Sequence, residues 1–287
     1  MVRAFAPAKV NLSLHVGPLR PDRKHEIASL VVFADVGDVV CAEPSDDLSL
    51  TIDGPFAGPL AGEAAADHLV LRAARMLARL TGAAPKARLA LTKALPVASG
   101  VGGGSADAAA AIRALAALWG VSPDPRRLNR EAFRLGADVP VCLSAKPAVV
   151  RGAGEIVERF DGAPPVWICL ANPGVGTPTG PIFRAFDAAN PAPPPPAAIR
   201  PPRGALADLD RAMGEARNDL EGPAIDRVPV IADVIAALAA APGARHARMS
   251  GSGATCYALF ADAASAERAA RRARARGWWS VSGRVLG

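Results

Sequence analysis

One stretch decides most of what this chain can be. Leu95-Pro96-Val97-Ala98-Ser99-Gly100-Val101-Gly102-Gly103-Gly104-Ser105-Ala106-Asp107 runs straight into Ala108-Ala109-Ala110-Ala111-Ile112. A glycine-rich loop gives way to a strong helix former. Bare backbone N–H groups and the positive end of a helix dipole then converge on one place, which suits an anion and above all a phosphate. The Ser105 hydroxyl is placed to cap the helix, or to bind a phosphate oxygen or Mg²⁺. Two common phosphate motifs do not fit. A P-loop needs G-x-x-x-x-G-K-[ST], and no lysine follows these glycines. The dinucleotide fingerprint G-x-G-x-x-G fails at its last place, which is Ser105 counted from Gly100 and Asp107 counted from Gly102. Close packing of backbones is the other use of such a cluster.

The chain has 287 residues, enough for two domains or one large one. A hydrophobic content of 51% with 21% charged residues marks a globular protein. The net charge of +6 is carried mostly by arginine; the lysines are Lys9, Lys24, Lys86, Lys93 and Lys146. A basic balance admits nucleic acid, membrane surfaces or anionic small molecules. The arginines scatter, except for Arg268, Arg271, Arg272, Arg274 and Arg276 in an Ala-rich helical pattern, which reads as a solvated helix face. Aromatic residues make up 5% with a single Tyr257, which argues against stacking platforms for single-stranded nucleic acid. Cys41, Cys142, Cys169 and Cys256 are widely spaced among apolar neighbours, as free thiols of a reducing cytoplasm are. The four histidines lack metal-ligand spacing, so no structural metal is expected. The first residues break too early for a signal peptide, and no apolar run approaches the roughly 20 residues of a membrane span.

By periodicity, residues 2–16 form a strand around Pro7, with polar punctuation at Lys9, Asn11 and Ser13, and 17–26 a turn-rich loop. Strands follow at 27–40 and 48–52, an amphipathic helix at 67–80 ended by Gly82, and a strand at 88–92. The helix after the glycines runs to Trp119 and stops at Gly120; another at 128–135 is closed by Gly136. Asp138-Val139-Pro140 reads as a turn leading into Val141-Cys142-Leu143. Strands are expected at 148–150, 154–158 and 166–171. Residues 188–202, with Pro193-Pro194-Pro195-Pro196, form an extended surface loop. Helices at 206–216 and 230–240 precede strands at 247–249 and 255–260, which flank Gly251-Ser252-Gly253. Strands and helices mix without a βαβ rhythm, which favours an α+β class.

Six segments in order carry a resemblance. They are Ala6-Pro7-Ala8-Lys9-Val10-Asn11-Leu12, Asp35-Val36-Gly37-Asp38, Gly136-Ala137-Asp138-Val139-Pro140, Asn172-Pro173-Gly174-Val175, Asn218-Asp219-Leu220-Glu221 and Met249-Ser250-Gly251-Ser252-Gly253-Ala254. With the glycine loop they resemble the GHMP kinase superfamily, and match nearly end to end its branch that acts on a cytidine-diphosphate-linked methylerythritol. The resemblance implies a two-domain α+β GHMP kinase fold. Residues 1–155 would form an ATP-binding and catalytic domain like ribosomal protein S5 domain 2. Residues 156–287 would form a ferredoxin-like GHMP kinase C-terminal domain, with the active site in the cleft between the two. The implied reaction moves the ATP γ-phosphoryl group to a hydroxyl of 4-diphosphocytidyl-2-C-methyl-D-erythritol, in the non-mevalonate route to isoprenoid precursors. A GHMP kinase acting on homoserine or a mevalonate derivative is the alternative; a non-catalytic nucleotide-binding module is a third. The partners would be ATP, Mg²⁺ and a small cytidyl substrate, with no nucleic acid or membrane, in a cytoplasmic monomer or weak homodimer.

The same resemblance assigns roles. Pro96, Val97, Ala98, Ser99, Gly100, Val101, Gly102, Gly103, Gly104, Ser105 and Ala106 would cradle ATP. Asp138 would be the base and Lys9 its cationic partner, where a structural salt bridge is the plainer use of such a pair. Asn11, two residues along the strand from Lys9, would share its face and hydrogen-bond the substrate. His25 would read the cytosine edge and Phe183 would stack on the base, against the alternatives of a solvated histidine and a core phenylalanine. Thr179 would lie near the substrate. Gly251-Ser252-Gly253 would pack on the phosphate loop or form a simple hairpin turn. The chain departs from its relatives' pattern in four places: Arg23-Lys24 for Gly-Tyr before His25, Ala98-Ser99 for Gly-Gly, Ala106 for a second serine, and His68 for an asparagine near the adenine.

Overall fold

The alanine run after the glycines has to bury on all sides, because it has no polar face to offer to water. In the computed structural model, which describes residues 1–60 and 68–287, it is α2 (Gly103–Trp119), with the residues from Ala106 to Ile112 all buried. Two compact units divide the chain. The first comprises Met1–Ala8, Gly37–Val97 and Gly102–Ala145. It contains the start of β1 (Val2–Asn11), the end of β3 (His25–Glu43), β4 (Leu48–Asp53), β5 (Ala87–Thr92), α1 (Leu69–Thr81), α2, α3 (Pro125–Leu135) and α4 (Val139–Ser144).

β5 pairs antiparallel with β3 (Val39 opposite Thr92) and parallel with β4 (Leu48 opposite Ala87). Ala87, Leu89 and Leu91 point inward and Arg88 outward, the two-residue alternation of a half-buried strand. α1 buries Val70, Leu71, Ala74 and Leu77. It opens on the His68 imidazole, whose Nδ1 accepts the Val70 N–H, and closes on Gly82. Asp67, expected as the first residue of this helix, lies outside the described residues. Gly37 is required by close approach, since a Cβ there would stand 2.1 Å from the Ala6 carbonyl oxygen.

The second unit comprises Lys9–Val36, Ala98–Val101 and Lys146–Gly287. It contains the rest of β1 and β3, β2 (His15–Leu19), β6 (Ala148–Gly152), β7 (Ile156–Arg159), β8 (Trp167–Asn172), α5 (Thr179–Ala189), α6 (Leu206–Gly214), α7 (Glu221–Arg227), α8 (Val230–Ala239), β9 (Arg245–Met249), β10 (Cys256–Phe260), α9 (Ala263–Arg274) and β11 (Trp279–Leu286). β8 lies between β10 and β11, antiparallel to both, with Cys169 opposite Ala258 and Ser282. Ile182 and Phe186 of α5, Ile231 and Val234 of α8, and Ala266 and Ala270 of α9 complete its core. The arginines of α9 are exposed, as the solvated-face expectation requires. Among the described residues no helix is long and apolar enough to cross a membrane.

The structure corrects several element expectations. Residues 2–16 are two strands, because Ser13 leaves the ladder: its hydroxyl accepts the Leu30 N–H and its carbonyl accepts the Ser29 hydroxyl. Residues 139–144 are a helix instead of the end of a turn, since Pro140 is well suited to a first helical turn. α5, α7 and β11 arise where the sequence pattern predicts no element; Gly180-Pro181 and Gly222-Pro223 in the helix starts, and Gly283 in the strand, hide the pattern.

Candidate active site

Peptide geometry orients the glycine loop. In the second unit, four consecutive carbonyls accept hydrogen bonds: Ala98 from the Thr177 N–H (3.2 Å), Ser99 from the Thr255 N–H (3.0 Å), Gly100 from the Ser250 hydroxyl (2.9 Å) and Val101 from the Lys9 N–H (2.9 Å). Because each peptide is planar and trans, the amides of residues 99–102 point the opposite way. Gly100 has φ +79°, and a Cβ there would stand 2.4 Å from the Ser250 carbonyl oxygen, so this glycine serves close packing.

In the first unit, α2 begins one residue after Gly102, which takes the N-cap position with φ 62° and offers no side-chain acceptor. Ser105 is therefore the third residue of the helix, which corrects its expected capping role. The first turn's amides have no intrahelical partner. Gly104 is exposed, and a Cβ on it would meet nothing within 4 Å. Among the described residues no protein contact requires glycine at this position.

Beneath the loop lies a buried ionic triad. Lys93 Nζ donates to Asp38 Oδ2 (2.5 Å) and to Asp107 Oδ2 (2.7 Å), and all three side chains are almost fully buried. Asp38 Oδ1 also accepts the N–H groups of Ala94 (2.6 Å) and Leu95 (2.9 Å). Burial pushes the Asp107 carboxyl up to about 7, opposed by the Lys93 charge and reinforced by Asp38. Lys93 continues the inward phase of Ala87, Leu89 and Leu91. That out-of-place lysine, with Asp107 inside an alanine run, is the signal that reading by motif passed over.

The third motif is held by side chains of its neighbours. Ser250 Oγ bridges the Gly100 carbonyl and the Asn11 N–H. Asn218 Nδ2 donates to the carbonyls of Met249 and Gly251, and Glu221 Oε2 accepts the Met249 N–H. Thr179 Oγ1 lies 3.0 Å from Ser252 Oγ. Asn11 is buried; its Nδ2 donates to Ser29 Oγ (2.7 Å), and its buried Oδ1 has no hydrogen-bond partner among the described residues.

His25 and Phe183 are brought together, with ring centroids 5.2 Å apart and planes 24° from parallel. Phe186 meets the imidazole edge-on. The imidazole is buried, with Nδ1 at the Gly17 carbonyl (2.9 Å) and Nε2 at Asp187 Oδ1 (3.0 Å). Lys24 is exposed. Arg23 sits at φ 61° in a turn closed by its N–H on the Arg20 carbonyl. Ala98 has φ 51°. Of the three residues that replace a glycine of the resembled pattern, Arg23 and Ala98 are thus held in a conformation that favours glycine and Ser99 is not.

Lys9 is a buried residue of β1 in the second unit. Asp138, half-buried, precedes α4 in the first. That helix is anchored at its other end, where Arg113 Nη1 donates to the carbonyls of Cys142 and Leu143 and Nη2 to that of Phe5. Pro96 and Ala106 are buried, and Val97 is half-buried.

Comparison with known proteins identifies the family. The family models for the GHMP kinases N-terminal and C-terminal domains match residues 68–146 and 197–277. A 4-diphosphocytidyl-2-C-methyl-D-erythritol kinase of Cereibacter sphaeroides is 51% identical over the full length of both chains. That of Hyphomonas neptunium is 48% identical, covering 98% of this chain and 95% of its own. The crystal structure of a 4-(cytidine 5'-diphospho)-2C-methyl-D-erythritol kinase superposes with a TM-score of 0.80 at 34% identity over 99% of both chains. A homoserine kinase from Cytophaga hutchinsonii shares the fold at a TM-score of 0.69 and 19% identity, covering 99% of this chain and 94% of its own. The chain belongs to the 4-diphosphocytidyl-2-C-methyl-D-erythritol kinase family of the GHMP kinases.

Proposed function

We propose that this protein transfers the γ-phosphoryl group of ATP to a hydroxyl on the methylerythritol part of 4-diphosphocytidyl-2-C-methyl-D-erythritol, in the non-mevalonate route to isoprenoid precursors. The observation that carries the phosphate site is the loop's orientation: its carbonyls are engaged by the protein, and the Gly104 side of the α2 N-terminus is open. Phosphoryl transfer asks for little covalent chemistry from the protein, so positioning and charge neutralisation dominate. Residues 96–106 cradle the ATP phosphates. Asp138 accepts the proton of the attacking hydroxyl as its oxygen bonds to phosphorus and ADP leaves. Lys9 offsets the negative charge that develops. Asn11, with its unpartnered Oδ1, and Thr179 orient the acceptor; His25 and Phe183 receive the cytosine.

Among the described residues no group of three or more His, Cys, Asp or Glu side chains would hold a metal alone. Mg²⁺ bound mainly by nucleotide phosphates and water needs only one or two protein oxygens. The Ser105 hydroxyl would supply one: it lies 3.8 Å from where a Cβ on Gly136 would be, on the segment that leads to Asp138. Bound there, Mg²⁺ would neutralise phosphate charge. The undisulfided cysteines fit a reducing cytoplasm, and the protein acts as a monomer or weak homodimer.

The test is turnover. Purified protein should consume ATP only with the diphosphocytidyl alcohol present, and homoserine and mevalonate should give none. Asp138→Ala should abolish turnover while an ATP analogue still binds. Undiminished activity in that variant removes Asp138 as the base; ATP consumption with homoserine but not the cytidyl alcohol removes the acceptor assignment.

A further inference from the structure

We propose that Lys93, clamped between Asp38 and Asp107, is a positioning residue for ATP, fixing the span of the glycine loop by tying the chain that leads into it to the helix that leaves it. The proposal rests on the loop being the ATP phosphate cradle. Asp38 holds the incoming side: its Oδ1 takes the N–H groups of Ala94 and Leu95, the two residues after Lys93. Asp107 holds the outgoing side, from the second turn of α2. Lys93 Nζ joins the two carboxylates and lies 3.4 Å from where a Cβ of Gly103 would be, under the first residue of the helix. Every residue between 96 and 106 is therefore strung between two ends fixed by one ammonium group.

Stability alone does not account for this arrangement. Two carboxyl groups share one buried ammonium, so the second either holds a proton or carries an uncompensated charge, and apolar side chains of similar volume commonly serve a core as well or better. Lys93 occupies an inward position whose three predecessors in phase are Ala87, Leu89 and Leu91. What an apolar residue could not do there is engage both carboxylates at defined points. A loop whose ends drift carries its amides away from the phosphates, and misplacement by about 1 Å can cost up to about a hundredfold in rate.

The test compares Asp107→Ala with Asp107→Asn in the full-length enzyme. Asp107→Ala cuts the tie to α2 and leaves Lys93 and Asp38 as a charge-balanced pair. Asp107→Asn keeps an oxygen for Nζ. The expected result is a KM for ATP raised about tenfold in Asp107→Ala and restored to within about twofold in Asp107→Asn, with the KM for the cytidyl alcohol unchanged in both. Urea unfolding of the same samples identifies a purely structural role, which would move the midpoint without splitting the two KM values. Asp107→Ser, too short to reach Nζ, asks the same question if the alanine variant does not fold. A folded Asp107→Ala or Asp107→Ser enzyme with wild-type KM for ATP overturns the proposal, as does failure of both to fold. If the wild-type protein consumes no ATP with the cytidyl alcohol, the functional assignment fails first and the proposal with it.

Discussion

Gly104→Ala separates a glycine kept for a ligand from one kept for the fold. Gly104 is the second residue of α2, exposed, with none of the described residues within 4 Å of the place a methyl group would take. Alanine exceeds glycine in helix stability by roughly 0.5–1 kcal/mol in the interior, and about 0.5 kcal/mol is a fair expectation in a first turn. For a chain of this size that corresponds to a rise in Tm of roughly 1–2 °C. In the proposed ATP cradle, the methyl would stand in the way of a phosphate oxygen approaching to about 3 Å from the first-turn amides. Losing one such charge-assisted hydrogen bond, about 1.5–3 kcal/mol, raises the KM for ATP roughly 10- to 100-fold. Thermal unfolding and steady-state kinetics on one preparation should show a protein that is more stable and binds ATP worse. The control is Gly100→Ala. Its φ of +79° and the 2.4 Å approach to the Ser250 carbonyl predict lost stability, at least about 1–2 kcal/mol from the left-handed backbone alone. A Gly104→Ala enzyme with wild-type KM for ATP would refute the cradle; one less stable than wild type would refute the open space above α2.

Further expectations concern other parts of the molecule. Arg23→Gly and Ala98→Gly relieve left-handed residues and should each raise the unfolding free energy by about 0.5–1 kcal/mol in urea titrations; no gain would show that those turns relax without cost. Burial holds the Asp107 carboxyl well above its unfolded value, so the stabilisation from its bound proton is complete in acid and is lost as pH rises through the folded value. The stability of wild type relative to Asp107→Asn should therefore fall as pH rises from acid to neutral and beyond, and a difference constant with pH would contradict the raised carboxyl. Lys24→Tyr adds an aromatic ring next to His25 in sequence; with base stacking at about 1–3 kcal/mol, the KM for the cytidyl alcohol should drop several-fold while that for ATP stays put.

The features legible in sequence are those written in local chemistry. Glycines at 100–104 followed by alanines announce a loop and a helix N-terminus, and the apolar period of 69–80 announces α1. The helix start is misplaced by sequence reasoning because a left-handed glycine can take the N-cap position that serine usually fills. α5 stays hidden because Thr179-Gly180-Pro181 resembles a turn until Ile182 and Phe186 are seen buried on one face. The segments of the family resemblance mark the site's neighbourhood, but several of their polar residues turn out to be fasteners. Asn218 and Glu221 hold the third motif, Asp38 holds the loop's approach, and Asn172 Nδ2 donates to Thr255 Oγ1. No local pattern distinguishes a side chain that fastens backbone from one that meets substrate, because both need a buried polar group at a fixed place. The pairing of His25 with Phe183 is likewise a product of tertiary packing, bringing together residues far apart in the chain.

The four carbonyls that moor residues 98–101 have a consequence for how a nucleotide arrives. Ordering a mobile residue costs about 1–2 kcal/mol, and a loop that wrapped its ligand would meet that cost at each encounter. Here the mooring bonds form with the fold itself. Nucleotide capture should therefore proceed in a single step whose observed rate climbs linearly with ATP concentration, without the plateau that a closing lid imposes. Because all four acceptors are main-chain oxygens, the side chains at 98, 99 and 101 can drift in evolution while the shape of the loop persists.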